Sequence, residues 1–144
     1  MKIDIKKLDG KAILPKRGSS FAAGYDLFAC IDGEAVIEPH KTSKIPTGLA
    51  AAIPEGYFGG IFARSGLATK KGLRPANCVG VIDSDYRGEI IVALHNDTDE
   101  QCVITGGERI AQLVILPFFE CEFNECDELD STSRGEGGFG STGK

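Results

Sequence analysis

The chain has 144 residues, a net charge of −5 and 26% charged residues, which is enough for one self-supporting core and short for two domains. So acidic a chain lacks the basic face of a general polyanion binder, although a few arginines and a divalent cation can still manage a small anion locally. Its five cysteines, Cys30, Cys78, Cys102, Cys121 and Cys126, form neither an even disulfide framework nor a zinc motif; that suits structural roles in a reducing compartment, the cytoplasm.

In chain order, residues 1–8 alternate Lys or Asp with Ile and lack the apolar run of a signal peptide. No apolar run approaches the roughly 20 residues needed to span a bilayer, so no membrane partner is expected. Short strands are expected over 2–8, 25–29, 34–37, 44–53, 57–63, 89–95, 101–104, 109–116 and 118–123. Turn signals fall between them at Asp32-Gly33, Pro54-Glu55-Gly56, Gly59-Gly60, Asn96-Asp97 and Gly106-Gly107. Only 65–71 reads as a helix. This spacing predicts an all-β sandwich, jelly roll or barrel. Ile90, Val92 and Leu94 share one strand face with Ile91 and Ala93 opposite, and the strand over 109–116 is likewise apolar on both sides. Such strands are expected to be covered twice, by the core and by another subunit. Residues 1–126 form the expected folded domain. Residues 127–144, rich in Gly, Ser and charge, read as a flexible arm with too little apolar surface to order itself.

Five segments could carry chemistry. The first runs Arg134-Gly135-Glu136-Gly137-Gly138-Phe139-Gly140-Ser141-Thr142-Gly143. Glycine-rich backbone can turn several N–H groups toward an anion, Ser141 and Thr142 add hydroxyls, Arg134 adds a fork that matches phosphate, and the Phe139 face suits a base. The same stretch spells GxGxxG and the start of a Walker loop, but both need a preceding strand and a following helix that the pattern does not supply. The second segment, Gly80 to Glu89, places Asp83, Asp85, Tyr86 and Glu89 after an apolar strand; it is either a polar hairpin turn or a general base beside an aromatic wall. In the third, Arg64 and Ser65 stand where the helix begins, and Ser65 reads as its N-cap or as an anion contact. Gln112, in the fourth, is an amide inside an apolar strand that needs partners if buried. Asp26, in the fifth, opens a strand, either as a turn residue or as an outer-shell partner of a hydrated cation.

Together and in this order, the five segments resemble the five motifs of the trimeric dUTPase family, over nearly the whole chain from Ala22 to Gly143. The resemblance implies a jelly-roll subunit, a homotrimer with sites at subunit boundaries, and Mg2+ held by the substrate triphosphate and water. It implies hydrolysis of dUTP to dUMP and pyrophosphate by attack of water on the α-phosphorus, which supplies dUMP for thymidylate synthesis and keeps uracil out of DNA. By motif position Asp83 is the base that activates water and Tyr86 stacks under the deoxyribose. Asn77 and the backbone near it read the uracil edge, with Val81 among the substrate contacts. Arg64, Ser65, Gly66 and Gln112 contact phosphates, and Asp26 supports the metal indirectly through water. Arg134, Phe139, Gly140, Ser141 and Thr142 belong to an arm that closes over the nucleotide. No nucleic-acid partner is implied. The nearest alternative, dCTP deaminase, shares the fold but attacks the base; the Asp83-Ser84-Asp85-Tyr86 turn and the complete glycine tail favour the hydrolase. A nucleotide-responsive protein that holds a regulatory partner is the alternative from another class.

Overall fold

Ile90, Val92 and Leu94 are at most 1% exposed while Ile91, between them, is 44% exposed, the two-residue period of a strand with one face in the core. The computed structural model, which describes residues 1–138, builds its core from such strands. In chain order these are β1 (Asp4–Lys7), β2 (Lys16–Arg17), β3 (Tyr25–Phe28), β4 (Glu34–Ile37), β5 (Thr42–Pro46), β6 (Leu49–Ala52) and β7 (Tyr57–Phe62). After helix α1 (Ser65–Lys71) come β8 (Leu73–Pro75), β9 (Gly80–Ile82), β10 (Ile91–Asn96), β11 (Cys102–Thr105) and β12 (Arg109–Pro117). The largest sheet has the order β2-β3-β12-β7-β9; a second has β5-β10-β8; β1 pairs with β6 and β4 with β11. Leu27, Ile37, Ile45, Leu73, Ile104 and Ile110 from these sheets meet in one buried cluster. This is the expected all-β, jelly-roll-like architecture with one short helix.

Four local expectations are corrected. The strand expected over 44–53 breaks at Thr47 and Gly48, where Gly48 turns to φ 67 and lies so close to Cys30 and Ala12 that no Cβ fits. The chain thereby leaves one sheet at Pro46 and enters another at Leu49. Gly59 and Gly60 make no turn: they sit inside β7, paired with Ile115 and Val114 on one side and Ile82 and Val81 on the other. Their missing side chains make room for Ile53, Leu113 and the Phe62 ring. The strand expected over 118–123 does not form; Phe119 and Phe123 are 90% and 95% exposed, so these apolar side chains find no cover among the described residues. Ser65 is not the N-cap. Arg64 holds that position with an extended backbone and no side-chain cap bond.

Strands β2 and β8 are too short to show a period and were not among the expected elements; β9 is the short apolar strand expected before Asp83. β8 and β9 lie at edges of different sheets, joined by only four residues, 76–79. This hop between sheets positions the site.

Candidate active site

A pocket of about 260 Å³ opens where the two sheet edges approach. Pro75, Asn77, Gly80, Val81, Ile82, Asp83, Tyr86 and Glu89 line one side, and Ile61 with 91–93 of β10 the other. Gly80 is needed because a Cβ there would press on Asn77 and Ile61, each at 3.1 Å. After β9 the chain turns at once, with Tyr86 N–H donating to Asp83 O at 3.1 Å. The Tyr86 hydroxyl donates to Glu89 O at 2.9 Å, and a side chain at Gly88 would collide with that hydroxyl. The ring is thus fixed at both ends while it stays 42% exposed. This turn is polar, but it closes no hairpin: β9 pairs with β7, whereas β10 belongs to the other sheet.

The three carboxylates that the sequence leaves as rivals are separated by this geometry. Glu89 Oε1 accepts the Gly48 N–H at 2.7 Å, which commits it to a backbone turn. Asp85 is outside the pocket lining, whereas Asp83 is exposed on the pocket wall. Among the described residues, only Asp83 combines this position with a carboxylate that accepts no hydrogen bond from a side chain or backbone N–H.

A second cluster lies across the rows of β3, β12 and β7, where Asp26 faces Gln112 and Gln112 faces Phe62. Asp26 is neither a turn residue nor free. Its Oδ1 accepts from Arg64 Nε at 2.8 Å and its Oδ2 from Arg109 Nη1 at 3.2 Å. Arg64 Nη1 also donates to Arg109 O. Gln112 Nε2 donates to Ala63 O at 2.9 Å, and Gly24 is glycine because a Cβ would strike the Gln112 amide oxygen. Both half-buried polar groups thus have partners, as burial requires. Ser65 and Gly66 are exposed beside this cluster. The far end of α1 is clipped down: Lys71 Nζ donates to Glu108 Oε1 at 2.7 Å and Thr105 N–H to Glu108 Oε2. Burial pushes the Glu108 carboxyl up, but the Lys71 and Thr105 bonds outweigh it and hold it below the usual range.

The family model for dUTPase matches residues 10–143. The chain belongs to the dUTPase family. It is 54% identical over 144 residues to the deoxyuridine 5'-triphosphate nucleotidohydrolase of Desulfitobacterium hafniense, covering 99% of this chain and 95% of that relative. To the enzyme of the same name from Syntrophotalea carbinolica it is 50% identical, covering 98% and 96%. Among solved structures it is similar to a variant of the Staphylococcus bacteriophage 80alpha dUTPase with dUpNHpp, at TM-score 0.89 and 33% identity, with 99% of each chain covered. It is also similar to a variant of the dUTPase from phage phi11 of S. aureus that details the coordination of a structural Mg(II) ion, at TM-score 0.80 and 28% identity, covering 89% of this chain and 98% of that one.

Of the dUTPase-like site residues read from the sequence, the pocket gathers Asn77, Val81, Asp83 and Tyr86. Arg64, Ser65, Gly66 and Gln112 do not line it, and Asp26 stands behind Arg64. Arg134 Nε donates to Gly137 O within its own turn. Phe139, Gly140, Ser141 and Thr142 lie outside the described residues. Sequence reasoning missed Arg109, the second cation on Asp26, and the pair Arg74–Asp97 beside the turn 76–79. For Arg109 the signal was misleading: three residues from Gln112, a regular strand would put it on the opposite face, and only the register shift between Arg109 and Ala111 brings it to Asp26. Arg74 sits in a strand too short to signal anything.

Proposed function

We propose that this chain hydrolyses dUTP to dUMP and pyrophosphate, and so supplies dUMP for thymidylate synthesis and keeps uracil out of DNA. The carrying observation is one pocket that sets together Asn77, the Tyr86 ring and an Asp83 carboxylate that has no partner among the described residues. In this reading Asn77 and the backbone at Val81 meet the uracil edge, and Tyr86 packs against the deoxyribose. Asp83 takes a proton from water as the water attacks the α-phosphorus, and pyrophosphate leaves. Positioning and charge stabilisation dominate such a reaction.

Arg64 and Gln112, with Ser65 and Gly66 beside them, serve the phosphates. They lie outside the pocket of their own chain, which supports a homotrimer whose sites draw on more than one subunit. The exposed Ile91, Phe119 and Phe123 supply apolar surface that such contacts would cover. The segment 127–144 acts as an arm beyond a folded domain of 1–126, with Arg134, Phe139, Gly140, Ser141 and Thr142 closing on bound nucleotide.

A magnesium ion would spread charge over the phosphate oxygens and fix their geometry. The donor set fits an ion carried in by the triphosphate. Among the described residues no group of three or more His, Cys, Asp or Glu could hold one; Asp26, whose oxygens accept from Arg64 and Arg109, would support the ion indirectly, through water. Among the same residues no helix is long and apolar enough to cross a membrane, and the five free cysteines fit the cytoplasm.

The test is product analysis after incubation with dUTP, dCTP, dTTP and UTP. Release of dUMP and pyrophosphate from dUTP alone, abolished by excess chelator, is expected. Ammonia from dCTP, or dUDP and orthophosphate from dUTP, overturns the reading. Light scattering at micromolar concentration is expected to return three subunits.

A further inference from the structure

The turn 76–79 that carries Asn77 is built on an uncommon backbone. Cys78 has φ 60, a region that a residue with a Cβ enters at a cost. Val79 N–H donates to Asn77 O at 2.6 Å across it, which makes Cys78 the centre of a three-residue turn of the rare, strained hand. Strain of this kind persists only where the surroundings impose it.

Arg74 is placed to impose it. Its Nε and Nη2 donate to Asp97 Oδ2 and Oδ1 at 2.7 and 2.9 Å, a two-pronged grip. Its remaining nitrogen, Nη1, lies 3.3 Å from Pro75 O, just before the turn, and 3.6 Å from Cys78 Sγ, within it. Asp97 is itself anchored, since its N–H donates to Gly72 O at 2.9 Å. Ladder pairing fixes β8 to β10 as far as Leu94↔Pro75, and Ala76 N–H continues it to Ala93 O. Beyond Ala76, among the described residues, the chain is hydrogen-bonded only by the short bonds Cys78 N–H to Pro75 O and Val79 N–H to Asn77 O and by the Arg74 contacts until β9 begins. Arg74 and Asp97 are 36% and 43% exposed, and so open a pair adds little to stability. Its value is geometric.

We propose that Arg74, gripped by Asp97, is a positioning residue that holds Cys78 in its left-handed turn and thereby presents Asn77 to the pyrimidine edge, so that it sets which base the pocket accepts. The inference rests on the reading above, in which Asn77 meets the base.

The experiment compares the parent with Arg74→Gln, Asp97→Asn and Arg74→Gln/Cys78→Gly. It measures kcat and KM for dUTP and dCTP, the affinity for dUMP, and Tm. The parent is measured first: if it does not prefer dUTP, the functional reading fails and not this inference alone. Given that preference, Arg74→Gln is expected to raise KM for dUTP and weaken dUMP binding by roughly tenfold, with kcat changed less than about twofold. Preference for dUTP over dCTP falls by a similar factor, because an unpresented Asn77 no longer rejects the wrong base. Asp97→Asn shifts the same quantities in the same direction and serves if Arg74→Gln folds poorly. Adding Cys78→Gly restores at least about threefold of the lost affinity, since glycine enters this conformation without strain. Equal losses on dUTP and dCTP, a loss in kcat alone, a fall in Tm without a kinetic change, or no recovery on adding Cys78→Gly would each overturn the proposal.

Discussion

The pocket wall between Pro75 and Glu89 and the corner around Asp26 use polar groups in opposite ways. In the wall, Asn77 and Asp83 face open space, and the structure spends its hydrogen bonds behind them, on the Tyr86 hydroxyl, the Gly48 amide and the Asp83–Tyr86 turn. In the corner, Arg64, Arg109, Asp26 and Gln112 bond to one another and to the backbone. In the proposed reading, the base side of the site is prepared within one chain. The phosphate side is held in place by internal partners, with Arg64 using its Nε on Asp26.

The sharpest break of this comparison is at Asp83. Asp83→Asn keeps the shape but cannot take a proton at neutral pH. Turnover is expected to fall by roughly two to four orders of magnitude, with nucleotide affinity preserved, whereas Asp85→Asn stays within a few-fold. Single-turnover rates of both variants decide it, and the opposite ranking would move the base to Asp85. Next in size is removal of 134–144. A chain ending at Ser133 is expected to keep its Tm, because the described part of this stretch adds nothing to the buried core, yet to lose activity by about a hundredfold as the reacting groups lose their closure. A large drop in Tm instead would make the arm structural.

Tyr86→Ala probes the prepared side more gently. With the ring gone, a ribose 2′-hydroxyl finds room, so UTP hydrolysis relative to dUTP is expected to rise by about tenfold in competition assays; an unchanged ratio assigns sugar choice elsewhere. Asp26→Asn probes the resting side. It removes a charge-assisted partner from two arginines, and a loss of about 1.5–3 kcal/mol is expected from urea unfolding. The smallest effect concerns the Lys71–Glu108 clip. The Glu108 carboxyl titrates below its unfolded value, so its contribution is complete above the unfolded pKa and disappears as pH falls through the folded one. Glu108→Gln should therefore cost less than about 1 kcal/mol at pH 7. The Tm gap to the parent should narrow as the pH falls through the folded carboxyl's pKa; a gap that stays constant over the acid range would contradict the clip.

What the sequence made legible follows from signal length. Alternation over 89–95 and 109–116 located two central strands, and the stretch 65–71 gave the helix to the residue. β8 and β9, three residues each, carry no period. Gly59 and Gly60 read as a turn because glycine usually punctuates, and only the packing of Ile53, Leu113 and Phe62 reveals why a strand needs them. Phe118 to Phe123 read as a strand because their residues favour one, but a strand needs a neighbour, and one chain does not provide it. At the site, the segment from Gly80 to Glu89 was visible as a concentration of carboxylates beside a tyrosine. The residues alone did not choose among those carboxylates; the resemblance pointed to Asp83, and the geometry that sets Glu89 apart, its bond to the Gly48 amide, joins residues 41 apart.

The four-residue hop from β8 to β9 has a mechanical meaning. A ligand seated between Pro75 and Val81 touches the margins of two separate sheets at once, and it resists their sliding or parting as a rivet resists the shear of two plates. Occupancy of the pocket is therefore expected to restrain the edges of both sheets together.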